Sequence, residues 1–91
     1  MDGGIEHDRD RRRFSTCFDG VVGYLDYELA GEFMTITHTV VPPAIGGRGI
    51  AGRLVQAALE HARDQGWKVI PQCSYCEAWM RKHPDHDDVR A

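Results

Sequence analysis

A glycine-rich loop leads directly into an amphipathic helical pattern, and this junction restricts the possible folds more than any other part of the chain. The first N–H groups of a helix lack partners within the helix and carry the positive end of its dipole. Glycines let such amides approach an anion closely, because no side chain stands in the way. The junction therefore predicts a cradle for an anion such as a pyrophosphate, formed by Gly46, Gly47, Arg48, Gly49, Ile50 and Ala51.

Residues 47–52 also fit G-x-G-x-x-G, the pattern of dinucleotide-binding folds, but two further requirements of that pattern are missing. The pattern needs a turn directly after its strand and an acidic residue about 20 positions later that binds the ribose. Here residues 42–45 separate the glycines from the preceding strand, and residues 71–73 contain no Asp or Glu. A dinucleotide site is therefore not expected.

Upstream of the loop the sequence predicts an antiparallel meander. Residues 19–20 are a hairpin signal between two runs of strand-forming residues, and a third strand follows over residues 33–41. Period-two alternation puts His38 of this strand on the apolar face that Met34 and Ile36 share. His38 is either a buried neutral histidine bonded to nearby polar groups, or a base or substrate-positioning group.

Downstream of the loop an apolar stripe of helical period runs to Gly66, a residue typical of a helix C-terminus. The next strand covers residues 67–72, and its connection through a helix makes it parallel to the third strand. Pro71 removes an N–H donor from this strand, so the two strands are expected to separate near Val40, Val41 and Pro71. Backbone groups at that opening become available to a ligand.

The matching blocks that carry a family resemblance are residues 37–43, 46–51, 54–55, 58–62, 66, 68–71, 73–75 and 83–84. In this order they resemble the acetyl-CoA-binding core of the GNAT N-acetyltransferases, and most closely the short YjdJ-type branch of that superfamily. The similarity covers nearly everything after Arg13. The family loop usually starts with Arg or Gln, where this chain has Gly46.

The resemblance implies a minimal GNAT-like fold, an α/β domain with a mixed, mainly antiparallel sheet of about four strands and two helices. It implies that acetyl-CoA is the donor, with the diphosphate of coenzyme A on the glycine loop and the pantetheine arm at Val40 and Val41. It also implies transfer of the acetyl group to an amine. Longer relatives enclose the acceptor with additional helices and strands, so here the acceptor face is expected to be open to a lysine or N-terminus of another protein, or completed by dimerisation.

Two side chains just beyond the strand opening are candidates for the chemistry. Cys73 is either a small buried hydrophobe or a group beside the thioester, as a nucleophile or as part of the lining. Tyr75 is either packed or the general acid that returns a proton to the CoA thiolate. A short helix follows and ends before His83-Pro84, and the acidic tail after it is expected to fray.

Two other functions compete with the acetyltransferase interpretation. The first is a non-catalytic CoA-binding module. The second is a cysteine-based redox or metal protein, because Cys73 and Cys76 precede His83 and His86. The gap between the two pairs is too short for a zinc finger, and a thioredoxin-like pair needs a complete βαβ framework around it, which this chain lacks. No metal site is therefore expected.

The size and charge of the chain set the remaining expectations. Residues 1–12 are rich in glycine and in charges of both signs and are expected to form a flexible arm, with one domain over residues 13–91. The formal net charge of −3 argues against nucleic acid as a partner, because phosphate contacts need a basic face. No membrane-spanning segment or signal peptide is expected, so we expect a cytoplasmic protein that is a monomer or weak homodimer.

Overall fold

The computed structural model of the chain describes residues 4–91. Within this range the chain forms a five-stranded sheet in the order β1-β2-β3-β4-β5, two α-helices and two 3₁₀ helices. The elements are β1 (Glu6–Asp8), β2 (Arg13–Phe18), β3 (Val21–Ala30), β4 (Phe33–Val40), a 3₁₀ helix (Pro43–Ile45), α1 (Ile50–Gln65), β5 (Lys68–Pro71), α2 (Ser74–Lys82) and a second 3₁₀ helix (Pro84–Val89). Only β4 and β5 pair in parallel, so the predicted mixed, mainly antiparallel α/β architecture is confirmed, with one strand more than expected.

The additional strand, β1, lies in the segment for which the composition predicts a flexible arm. It pairs antiparallel with β2, and His7 lies opposite Phe14. The imidazole of His7 stacks on the Phe14 ring at a centroid distance of 4.0 Å, and its Nε2 lies 2.6 Å from the hydroxyl oxygen of Tyr27. These contacts order residues 6–8 as part of the sheet. Residues 1–3 of the predicted arm lie outside the described residues.

A β-bulge in β4 changes which residues face the core. Asp26 pairs with His38, but the next residue of β3, Tyr27, pairs with Ile36, so Thr37 is an extra residue in β4. One extra residue reverses the alternation of side chains beyond it. Ile36 is fully buried whereas His38 is exposed, and the predicted position of His38 on the apolar face is therefore wrong.

The inner face of the sheet packs against α1 and α2, and their apolar residues form one cluster with it. Its buried members include Phe14, Leu25, Tyr27, Met34 and Ile36 of the sheet, Leu54, Val55, Ala58, Leu59 and Ala62 of α1, and Cys76 and Met80 of α2. Burial of each Leu, Ile or Met side chain contributes roughly 1.5–3 kcal/mol, so the burial of this layer is strongly stabilising. No helix in the described part of the chain is long and apolar enough to cross a bilayer.

The C-terminal tail is folded, and the prediction that it frays is wrong. Val89 is buried against the core, and the N–H of Ala91 donates to the carbonyl of Val69 in β5 at 2.9 Å. The guanidinium of Arg63 on α1 lies 2.7 Å from the carboxylate of Asp88. Burial of Val89 and the hydrogen bond from Ala91 to β5 therefore hold the C-terminal segment in place, although its acidic composition is typical of a solvated chain end.

Candidate functional site

The glycine loop, residues 46–49, is exposed, and the residue on each side of it is buried. Ile45 before it and Ile50 after it are 1% and 2% exposed. Gly47 and Gly49 have φ values of 76° and 72°, which residues with a side chain rarely adopt. The loop conformation thus depends on glycine, and apart from Arg48 the loop presents mainly main chain to solvent.

The N-terminus of α1 is free to receive an anion. Gly49 is the N-cap residue in left-handed conformation, no side chain caps the helix, and the first turn contains no acidic residue. The uncapped N–H groups and the helix dipole both favour a negative charge at this point. The exposed guanidinium of Arg48 lies 3.4 Å from the carboxylate of Asp19 in the β2–β3 turn, a weak surface ion pair.

A gap opens between β4 and β5 close to this helix end. The parallel pairing stops at Ile36 and Pro71, and the N–H of Cys73 then donates to the Ile36 carbonyl at 3.0 Å. Beyond that point β4 continues beside β3 alone, as far as Val40. The predicted separation of the strands is therefore present, and it begins at the bulge residue Thr37, earlier than expected.

Cys73 lies at this gap, as the residue that caps α2. It is partly buried, and its Sγ lies 3.6 Å from Oγ1 of Thr39 across the opening. Burial acts to raise the pKa of its thiol, but hydrogen bonds to the Cys76 backbone and the Thr39 hydroxyl outweigh it, so the pKa is lowered. Cys73 is thus a partly accessible thiol with increased thiolate character.

Cys76 behaves differently although it is only three positions further along. It is fully buried in the core, and burial followed by the charge of Cys73 raises its pKa to about 12. Among the described residues no group of three or more His, Cys, Asp or Glu side chains could hold a metal ion. A zinc site built from Cys73, Cys76, His83 and His86 therefore has no support in the geometry.

Tyr75 brings a hydroxyl to the first turn of α1. A Cβ atom placed on Gly52 would lie 3.5 Å from the hydroxyl oxygen of Tyr75 and 3.0 Å from Nε1 of Trp79. Gly52 thus lets α2 approach the start of α1 closely. Burial, with a smaller effect of Cys76, raises the pKa of Tyr75, so its phenol stays protonated at neutral pH.

The site residues predicted from sequence do not all meet. The glycine loop, Cys73 and Tyr75 lie around the gap on the helix-bearing side, whereas His38 lies on the opposite, open face of the sheet. Its Nδ1 is 3.1 Å from Oγ1 of Thr37, and its cross-strand neighbour is Asp26. The sequence does not indicate a role for Thr39, because simple alternation places its side chain away from the core and the bulge at Thr37 is not evident from the strand pattern.

Comparison with known proteins agrees with this arrangement of loop, helix and strand gap. A family described as GCN5-related N-acetyl-transferase matches residues 13–89. The chain belongs to the GCN5-related N-acetyltransferase family. It is an N-acetyltransferase of that family, whose members generally use acetyl-CoA.

The relatives and the structural neighbour cover most of this N-acetyltransferase. Protein NATD1 of Mus musculus is 39% identical over 85 residues, which is 88% of this chain and 76% of that protein. Protein NATD1 of Homo sapiens is 38% identical, covering 88% and 74%. A solution NMR structure of a GCN5-like putative N-acetyltransferase from Staphylococcus aureus has a TM-score of 0.77 at 26% identity, covering 97% of this chain and 87% of that one. The predicted superfamily and minimal fold are confirmed, while the YjdJ-type branch stays a prediction.

Proposed function

We propose that this N-acetyltransferase moves acetyl from acetyl-CoA to an amine. The observation that carries the proposal is the uncapped, glycine-rich start of α1 beside the gap between β4 and β5. The diphosphate of coenzyme A binds the backbone amides of residues 46–51, and its pantetheine arm enters the gap along Val40 and Val41. The thioester then lies between the separated strands, beside Cys73.

The transfer itself needs few side chains. The neutral amine attacks the thioester carbonyl, the C–S bond breaks as the tetrahedral intermediate collapses, and CoA leaves as a thiolate. Backbone N–H groups at Val40 and Val41 donate hydrogen bonds to the oxyanion. These hydrogen bonds are stronger in the transition state than in the substrate complex, so they accelerate the reaction. Tyr75 returns a proton to the CoA sulfur, and His38, at the open face, accepts the proton that the amine loses.

Cys73 contributes to this site as lining rather than as the nucleophile. Direct attack by the amine is sufficient when amine and thioester are held together in one complex. The alternative is a covalent route, in which Cys73 attacks the thioester and forms an acetyl-cysteine. The lowered pKa of the Cys73 thiol favours such an attack, so the two routes are compared by experiment below.

The acceptor amine reaches the site from the open face of the sheet. Within residues 4–91 no helix packs on this face, and Val22, Phe33, Val40 and Ile70 are between 37% and 48% exposed there. An open surface with exposed apolar side chains fits a lysine or an N-terminus presented by another protein better than a small enclosed amine.

Calorimetric titration with acetyl-CoA tests the donor site. We expect stoichiometric binding that Gly49→Glu abolishes, because the new carboxylate occupies the position of a phosphate. Gly31→Glu is the matched control, since Gly31 also has a positive φ, 59°, and a Cβ placed on it would meet no atom within 4 Å. Both variants carry a backbone strain of roughly 1–2 kcal/mol, and only Gly49→Glu should lose the ligand.

The release of CoA thiol then separates an enzyme from a non-catalytic CoA-binding module. With acetyl-CoA and a mixture of lysine-rich peptides and polyamines, we expect thiol release that depends on the amine. Tight binding of acetyl-CoA with no thiol release for any acceptor would favour the module. Absence of any binding heat for the wild-type protein would reject both the transferase and the module.

A further inference from the structure

A second cavity lies far from the glycine loop, between β1 and the C-terminal half of α1. It has a volume of about 210 Å³ and is lined by the rings of His7, Tyr27, His61 and Trp67 together with Arg9, Leu29 and Gln65. His61 lies eleven positions after the start of α1, which places it about 16 Å along the helix axis from the anion cradle. The acetyl-transfer site and this cavity therefore share no residues.

Four of the residues that line the cavity have rings, and these rings contact one another. The His61 ring is edge-on both to His7, at a centroid distance of 4.6 Å, and to Trp67, at 5.3 Å. The ring of His7 is fixed from behind by its stacking on Phe14 and by the Tyr27 hydroxyl. Ring edges and faces of this kind favour a flat aromatic ligand.

The mouth of the cavity carries an unpaired positive charge. Arg9 is exposed and makes no hydrogen bond or ion pair within the described part of the chain. Its charge acts on all three titratable groups of the lining, His7, Tyr27 and His61. Asp8 and Asp64 act on His7 and His61 with the opposite sign, but neither carboxylate lines the cavity. Within the lining, the guanidinium of Arg9 is therefore the group that can pair with an anion.

From this geometry we infer a binding site for a small planar aromatic carboxylate. The ring lies in the cavity that Trp67 and the two imidazoles line, against these side chains, and the carboxylate pairs with the guanidinium of Arg9 at the mouth. A cavity of about 150 Å³ is known to hold a benzene ring, so 210 Å³ accommodates one ring with its carboxylate. A metal ion is a poor alternative, because Nε2 of His7 is already paired with Tyr27.

Benzoate is the probe, with two analogues that each remove one feature. Benzamide keeps the ring and loses the charge, while cyclohexanecarboxylate keeps the charge and loses the flat ring. In ¹H–¹⁵N NMR titrations of the full chain, we expect benzoate to shift the amides of His7, His61 and Trp67 and to bind at least about tenfold more tightly than either analogue. Equal affinity for benzoate and benzamide would overturn the inference, as would the absence of shifts at these residues.

Arg9→Gln tests the charge, and Arg11→Gln is its matched control in the same turn. The side chain of Arg11 is 76% exposed and faces Asp8 at 3.8 Å instead of the cavity. We expect Arg9→Gln to weaken benzoate binding about tenfold or more and Arg11→Gln to leave it unchanged. Equal effects of the two substitutions would show a general charge effect and would reject the site, whatever the outcome for acetyl-CoA.

Discussion

The Sγ atom of Cys73 lies 3.6 Å from Oγ1 of Thr39, across the gap that opens between β5 and β4. This contact joins the start of α2 to the strand segment after the bulge, where the acetyl group is proposed to lie. It also distinguishes Cys73 from Cys76, whose sulfur is in the core. The reactivity of the two thiols therefore reports on the site directly.

Limited alkylation with iodoacetamide should modify Cys73 well before Cys76. The pKa of Cys73 is lowered and its side chain is partly accessible, whereas the buried Cys76 has its pKa raised to about 12. Bound CoA should protect Cys73, because its pantetheine arm would fill the gap. Peptide mass spectrometry checks both expectations, and faster modification of Cys76 would contradict the geometry of the cleft.

Turnover of Cys73→Ala decides between the two mechanisms. We expect the variant to retain transfer, with less than about a tenfold loss, because direct attack by the amine needs no acyl-cysteine. The wild-type protein incubated with acetyl-CoA alone should stay unmodified. An added mass of about 42 Da on Cys73 that hydroxylamine removes, together with an inactive Cys73→Ala, would instead establish the covalent route.

His38→Ala should slow acetyl transfer by about 100-fold without affecting stability. His38 is exposed on the open face, and exposed substitutions of this kind change the free energy of unfolding by about 0.5 kcal/mol or less. The affinity for acetyl-CoA should also be unchanged, because the proposed binding residues for acetyl-CoA do not include His38. Steady-state kinetics and thermal melting check this, and an unchanged kcat would remove His38 from the mechanism.

Gly52→Ala should destabilise the protein, although alanine favours helix. The new Cβ would lie 3.0 Å from Nε1 of Trp79, whose ring is stacked on His83 at 3.8 Å and has little freedom to move. Overpacking of roughly 1–3 kcal/mol then exceeds the helix propensity gain of about 1 kcal/mol. A net loss of about 1 kcal/mol lowers Tm by about 4 °C or more.

A double-mutant cycle isolates this contact. In the Trp79→Phe background the smaller ring leaves space for the added methyl group, so Gly52→Ala should become neutral or stabilising there. The coupling free energy should exceed about 0.5 kcal/mol. Identical effects of Gly52→Ala in both backgrounds would mean that α1 and α2 do not approach each other at this point.

The stability of the fold should decrease as the pH falls below about 6.5. Burial is the main cause that lowers the pKa of both His7 and His61 from the ordinary value of 6.5. The charge of His61 further lowers the pKa of His7, and Arg9 lowers the pKa of both histidines. Asp8 raises the pKa of His7, and Asp64 raises that of His61. The unfolded chain then binds protons that the folded chain does not, so stability is lost from the unfolded pKa down to the folded one.

His61→Phe should flatten this dependence, because the ring is kept while its titration is lost. His38→Ala is the matched control, since it removes an exposed histidine on the other face of the sheet, outside the cluster of His7 and His61. Thermal melts between about pH 5 and pH 8 check the prediction. The carboxylates of Glu77 and Asp88, whose pKa values are lowered by hydrogen bonds from arginine side chains, titrate in a more acidic range. The same slope in His61→Phe and the wild type would contradict the prediction.

Most of the fold follows from local patterns in the sequence. The glycine loop, the period of α1 and its Gly66 end are properties of short segments, because turn geometry and helix amphipathicity are decided by neighbouring residues. Pro71 likewise indicates the end of strand pairing, since proline cannot donate to a ladder. These features are sufficient to predict the anion cradle and the strand gap beside it.

The sequence by itself determined the glycine loop with the helix after it, the order of the elements from β2 to α2 and the family, while only the tertiary structure decided which side chains meet. The bulge at Thr37 turns His38 outward and Thr39 toward Cys73, because one extra residue in a strand inverts every side chain beyond it. β1 joins the sheet because His7 contacts Phe14, Tyr27 and His61. These contacts join residues that are far apart in the chain. Periodicity describes neighbours along one strand or helix, and it contains no information on such distant partners.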